Sequence, residues 1–453
     1  MKTSSLTLGL LAAVATADPT PTEQEPPSKR SSLPTVTASG NAFWAGSDRF
    51  YVRGVDYQPG GSSAMTDPLA DETTCQRDIA EFKTLGINTV RVYMVDNSVS
   101  HDTCMQALSD AGIYLILDVN NPLYSINRAQ PAESYNDVYL QSVFATIDAF
   151  RSYDNTLAFF SGNEVVNDQT NTTLAAPYVK ATTRDMRQYI TQRGYRAIPV
   201  GYSAADVSQN RYQLAEYFNC GTDDERSDFF AFNDYSWCNT DFETSGWDQK
   251  VQNFTGYGLP LFLSEYGCTT NGRSFGEVGA LMSSNMTSVY SGGLVYEYSV
   301  EDGNENYGLV TIVGSSSVST KSDFSAYSTA LSKYPAPTGD GGFTSTTNSV
   351  TCPSPDSNWL VSNTLLPAIP TAALKYMTDG AGTGPGLTGD GSQNAGGTST
   401  GDAEPGSGSA TTTATPSSTG KKNIGTRPAP MDTAGFAVMG VVLVATFVGT
   451  LLL

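Results

Sequence analysis

Between about residue 40 and residue 335, short apolar runs alternate with helical patterns almost without a gap, and this alternation leaves few folds open. The runs are FYVRGVDYQ, INTVRVYMV, IYLILDV, TLAFFSGNE, AIPVGYS, FFAFNDYSW, LPLFLSEYG and GGLVYEYS. All eight read as strands, and TLAFFSGNE and LPLFLSEYG, where the apolar residues run on, read as strands buried on both faces. Helices are expected at 75–85, 102–110, 137–153 and 177–192, the last with Pro177 in its first turn, where the missing N–H is harmless. Eight strand–helix units within roughly 250 to 300 residues form the pattern of a closed α/β barrel, the (β/α)8 or TIM barrel. An open doubly wound sheet is the alternative. It would ordinarily show a glycine-rich phosphate turn after its first strand, and GxGxxG is absent.

Both ends of the 453-residue chain differ in character from this middle. Lys2 precedes LTLGLLAAVATA, and Ala15-Thr16-Ala17 supplies the small residues a signal peptidase accepts, so residues 1–17 read as a secretory signal. A Pro-rich segment, 18–34, leads into the (β/α)8 domain at 35–335. A stretch at 336–375 contains Cys352 and is expected to be pinned back onto the barrel by a disulfide. Residues 376–423, rich in Gly, Ser, Thr, Asp and Pro, read as a disordered stalk too poor in large apolar groups to fold. Ala434 to Leu453 is apolar and uncharged, behind a polar spacer with Arg427 and Asp432. With small residues around Ser417 to Gly425, this is the layout of a glycosylphosphatidylinositol signal, with residues 424–453 as propeptide. Asn423 is the expected attachment point, with Ser418, Gly420 and Gly425 as rivals. An ordinary transmembrane anchor is the competing reading, weakened by the missing cytoplasmic basic residues.

A secreted chain gives its six cysteines meaning, since an even count suits three disulfides while spacing cannot choose among fifteen pairings. No CxxC is present and His101 is the single histidine, so neither a metal nor a cofactor is expected. Sequons at Asn171, Asn253 and Asn285 suit N-glycosylation. A formal charge of −20 argues against nucleic acid as a partner, and a neutral ligand fits better.

On a barrel, strand C-terminal ends meet at one rim. Tyr93, Asp118, Asn163, Glu164, Tyr235, Glu265 and Tyr296 all arrive there, with the two glutamates closing the fourth and seventh runs. Two carboxyls in different protonation states are what glycoside chemistry needs: one donates a proton to the departing oxygen, the other attacks or activates water. Glu164, beside an asparagine suited to a sugar 2-hydroxyl, reads as acid/base. Glu265 reads as nucleophile, with Tyr296 expected to hold its carboxylate. By pattern alone, helix caps or ion pairs explain two such glutamates equally well.

SGNEV, FLSEYGC, GGLVYEYS and the cysteine segments YFNCG and YSWC resemble glycoside hydrolase family 72, the fungal cell-wall β-1,3-glucanosyltransferases anchored by glycosylphosphatidylinositol. The likeness runs from about residue 35 to residue 375. It implies acid/base Glu164 with Asn163 touching sugar, nucleophile Glu265, and a groove lined by Tyr93, Asp118, Asn127, Arg128, Asp206, Arg211, Tyr235 and Tyr296. It also implies disulfides Cys75–Cys104, Cys220–Cys352 and Cys238–Cys268. The family's cysteine-rich carbohydrate-binding module is not expected, as no cysteine follows Cys352. Implied partners are a β-1,3-glucan donor and acceptor and, through the lipid anchor, a membrane. The default is a monomer at the outer face of the plasma membrane and in the wall. Transfer to a sugar rather than to water rests on the resemblance; a glucan hydrolase and a non-catalytic wall adhesin are the rivals.

Overall fold

The computed structural model describes residues 33–303, 306–362 and 365–404. Three short strands, β1 (Val36–Ser39), β2 (Ala42–Ala45) and β3 (Asp48–Phe50), make an antiparallel sheet ahead of the main fold. Eight parallel strands follow: β4 (Val52–Asp56), β5 (Thr89–Val92), β6 (Tyr114–Asp118), β7 (Thr156–Asn163), β8 (Val200–Ala205), β9 (Phe229–Asn233), β10 (Leu261–Tyr266) and β11 (Tyr290–Val295). They close in sequence order, β11 returning to β4, as the alternation of apolar runs predicts. Helices at Glu72–Leu85, Asp102–Asp110, Asp137–Phe150 and Ala176–Gln192 fall where the periodicity puts them.

The barrel floor is aromatic. Phe43 of the small antiparallel sheet meets Phe229 of β9 and Phe262 of β10 edge-on, with centroids 5.7 and 5.9 Å apart, so this sheet plugs the end opposite the strand termini. Phe160 and Phe229 continue the layer at 5.5 Å. Above these rings the interior turns polar, beginning with Arg91, whose guanidinium lies 4.7 Å from the centre of the Phe160 ring.

All three implied disulfides are present, Cys75–Cys104, Cys220–Cys352 and Cys238–Cys268. The second joins the extension after the barrel to the end of a helix, across 132 residues of sequence. Trp359, fully buried against Tyr217 at 5.3 Å, completes the seam. Closing so long a loop restricts the unfolded chain strongly, so a Cys220→Ser, Cys352→Ser protein is expected to lose about 3–5 kcal/mol of stability. Denaturant melts of the two proteins measure it.

The first part of the segment that composition assigns to the stalk is packed. Residues 376–404 lie on the barrel rather than projecting from it: Ser392 is fully buried, Ala381 and Ala403 are nearly so, and a helix runs from Leu374 to Asp379. Small size serves close contact here. A Cβ on Gly384 would lie 2.0 Å from Asn97 Oδ1, and one on Gly389 2.1 Å from the Tyr124 hydroxyl. The rest of the stalk, residues 1–32 with the signal, Asn423 and the apolar tail lie outside the described residues. Among the described residues, no helix is long and apolar enough to cross a membrane.

Candidate active site

The polar layer is built from side chains that alternate inward along their strands. On β5, Val90 and Val92 join the core packing outside while Arg91 and, just past the strand, Tyr93 turn in. On β6 the pattern puts Leu115 and Leu117 out and Asp118 in; on β8 and β9 it brings in Ser203 and Asn233. Register shifts interrupt β7 between Phe160 and Asn163 and β10 between Leu263 and Glu265. Each irregularity re-aims the strand end, as bulges beside functional sites commonly do, and delivers the two glutamates.

Glu265 is held by three donors. Its Oε1 accepts from the Tyr93 hydroxyl at 2.7 Å and from Arg91 Nη1 at 3.1 Å, and its Oε2 from the Tyr235 hydroxyl at 2.7 Å. Burial pushes its carboxyl up, to about 7; Arg91 pulls down against that, Glu164 pushes up, and the tyrosine hydroxyls favour the ionised form. Oε2, with one donor against two, is the less encumbered oxygen. The disulfide between Cys238 and Cys268 ties the loop after Tyr235 to the loop after Glu265, so the carboxylate and its hydroxyl donor are fastened together.

Glu164 sits differently. Its Oε1 accepts from Asn233 Nδ2 at 2.8 Å. Its backbone is left-handed, with φ of 48°, at a cost on the order of 1 kcal/mol for a residue with a Cβ. Both sides of the residue are pinned to keep it there: its N–H donates to Ser203 O at 2.9 Å, and its carbonyl accepts from Arg128 Nη2 at 2.7 Å. Asn163 spends its Oδ1 on Ser203 and Asn233, at 2.7 and 3.1 Å, which leaves the Nδ2 donor for a ligand in the cleft it lines. That cleft, of about 250 Å³, is also bounded by Tyr93, Asp118, Asn120, Ser125 and Arg128.

Several expected residues do other work. Tyr296 does not hold Glu265: it lies beyond the end of β11, and its hydroxyl donates to Glu301 at 3.1 Å. Its ring instead packs edge-on against Tyr93, Tyr235 and Tyr307, with centroids 6.5, 6.4 and 5.5 Å away, making an aromatic wall. Asp118 grips Arg91 with both oxygens, at 2.8 and 3.2 Å. Asn127 accepts from Ala129 N at 2.9 Å and closes its own turn. Asp206 pairs with Arg211 and with Lys250, which also reaches Asp234 at 2.6 Å, and this ion network joins the loops after β8 and β9.

Arg91, Asn233 and Ser203 escaped sequence reading. Arg91 had a visible signal: an arginine inside VRVYMV, two residues before a tyrosine, is a charge in the middle of a strand otherwise buried on both faces. Such a charge demands a partner, and here Asp118 and Glu265 supply it. Near them Asp56 is fully buried, with both oxygens lacking a hydrogen bond, and burial holds its carboxyl well above the usual range. Glu297 is pushed up to about 9 by burial and by Glu301 and Glu265.

Comparison with known proteins decides the family. The family model described as glucanosyltransferase, of glycoside hydrolase family 72, matches residues 26–335. The chain is a member of glycoside hydrolase family 72. Among family 72 relatives, the 1,3-β-glucanosyltransferase gel1 of Aspergillus fumigatus is 62% identical over 391 residues, covering 86% of this chain and 85% of that protein. The 1,3-β-glucanosyltransferase GAS5 of Saccharomyces cerevisiae is 54% identical over 361 residues, covering 78% and 74%. A mutant of Saccharomyces cerevisiae Gas2p, solved with laminaritetraose and laminaripentaose, is 38% identical with a TM-score of 0.69, and the match covers 76% of each chain.

Proposed function

We propose that this chain is a β-1,3-glucanosyltransferase that works by double displacement. The carrying observation is the asymmetry of the two carboxylates: Glu265 is held by Arg91 and two tyrosine hydroxyls, all favouring the anion, while Glu164 receives a single amide. A carboxylate so held suits a nucleophile, and one so lightly held suits a proton carrier.

In the first half-reaction Glu265 Oε2 attacks the anomeric carbon within a glucan chain while Glu164 gives its proton to the departing 3-oxygen. The reducing-end fragment leaves, and an ester joins the rest to Glu265. In the second, Glu164 takes the proton of an acceptor's non-reducing-end 3-hydroxyl, whose oxygen displaces Glu265 and restores a β-1,3 linkage. Asn163 Nδ2 is suited to the 2-hydroxyl at the bond being broken. Tyr296, Tyr307 and the other rings of the aromatic wall suit the apolar faces of sugar rings, favouring a sugar over water as acceptor.

The relatives support β-1,3-glucan as substrate, by the activity named for gel1 and GAS5 and by the laminari-oligosaccharides bound to Gas2p. A reduced laminari-oligosaccharide incubated with the protein is expected to yield products longer than the input. Exclusively shorter products would establish a hydrolase instead. The ends of the chain support a secretory route, with Asn423 as anchor site, and action at the outer plasma membrane and wall. Asn171, Asn253 and Asn285 are all exposed, as glycan acceptors must be.

A further inference from the structure

Residues 366–403 form a strap across the barrel surface that returns to its own base, where Ala368 N donates to Gly401 O at 2.9 Å and Ala403 N to Leu366 O at 2.8 Å. Between these ends the strap lies against the loop that follows β6. Gly391 N donates to the Tyr124 hydroxyl at 3.3 Å, Ser392 N to Leu123 O at 2.9 Å and Gln393 Nε2 to Ser125 O at 2.9 Å. Three successive strap residues thus bond three successive loop residues. Behind them Asn136, which caps the following helix, donates to Ser392 O at 2.6 Å.

That loop is part of the site. Ser125 and Arg128 line the cleft, and Arg128 holds the Glu164 carbonyl. We infer that the strap is a positioning element for glucan binding: seated through Gly389 to Gln393, it fixes the 123–128 loop, and with it one wall of the sugar cleft and the backbone of Glu164. A segment whose composition reads as a tether is then a working part of the enzyme. The inference rests on the proposed function, because the cleft is taken to hold glucan.

Tyr124 is buried, so its hydroxyl cannot swing aside, and a Cβ at residue 389 collides with it. In the full-length protein, Gly389→Ala is expected to raise KM for laminari-oligosaccharide about tenfold with a smaller change in kcat. Removing the obstructing oxygen should undo this: Gly389→Ala with Tyr124→Phe is expected to return KM to within about threefold of the parent. Gln393→Ala, which removes a single bond to Ser125 and adds no bulk, is expected to raise KM about threefold. A purely structural role would lower the melting temperature and leave KM alone. That outcome, or failure of the double variant to recover, overturns the inference. If the parent protein does not elongate glucan, it is the functional proposal that falls. The strap is then read from calorimetric affinity for laminaripentaose in the same variants: parent-like affinity in Gly389→Ala overturns the inference, and a loss recovered in the double variant upholds it.

Discussion

Glu265→Gln is expected to abolish glucan elongation, lowering kcat by about 10⁴-fold or more, because without a carboxylate at that position no glycosyl ester can form. Glu164→Gln is expected to be comparably poor on glucan, by up to about 10⁴-fold, yet to differ in kind. A laminaribiosyl fluoride needs no proton to release its leaving group, so the Glu164→Gln protein should react with it once. Lacking a base to activate the acceptor, it should then stall. Mass spectrometry of a protease digest is expected to find the glycosyl group on the peptide carrying Glu265. The Glu265→Gln protein should carry none. A label on the other glutamate would reverse the assignment, and no label on either, with the fluoride consumed, would point to direct attack by water.

Arg91→Met is the second large effect. Arg91 is wholly buried and sets the charge balance of the barrel interior, pairing with Asp118 and Glu265 and lying 3.8 Å from Asp56. Taking away the cation leaves buried carboxyls without a counter-charge, with an expected loss of about 3–5 kcal/mol in stability. Its effect on titration has a definite sign. The folded Glu265 already titrates above the ordinary 4.5, near 7, and losing Arg91 raises it further. Since only the anion attacks, the acid limb of the kcat/KM profile must move to higher pH in the variant. Stability follows the same linkage. A carboxyl raised in the folded state contributes stability that is full below about pH 4.5 and is lost as pH rises through the folded value, here toward 7. In Arg91→Met this decline extends to higher pH. Paired pH–rate and pH–melting curves check both; an acid limb that stays in place would show that Arg91 does not govern Glu265.

Much of this was readable because it depends on local pattern. Continuous apolar runs give strands, three-to-four spacing gives helices, and a charge at the end of a run gives a rim residue, so the eight strands and the arrival of Glu164 and Glu265 at one end needed no coordinates. The disulfides were another matter: spacing left fifteen pairings open, and resemblance narrowed them to the three observed. Tyr296 illustrates the limit. Its position after a strand placed it at the rim correctly, but which tyrosine reaches Glu265 depends on side-chain direction beyond the strand end, and Tyr93 and Tyr235 have it.

The C-terminal segment marks the same boundary from the other side. Composition reports how much apolar surface a segment brings, and by that measure residues 376–404 bring too little to fold alone. They do not fold alone. Their small residues fit against a surface made by distant parts of the chain, where Asn97, Tyr124 and Asn136 supply the hydrogen bonds. By itself, then, the sequence determined the barrel, the order of its strands and the two acids at its rim, because each follows from neighbours along the chain. The tertiary structure decided which groups hold Glu265, how Arg91 is balanced and that residues 376–404 pack on the barrel, because those depend on side chains brought together from different strands and loops, 27 to 174 positions apart around Arg91 and Glu265.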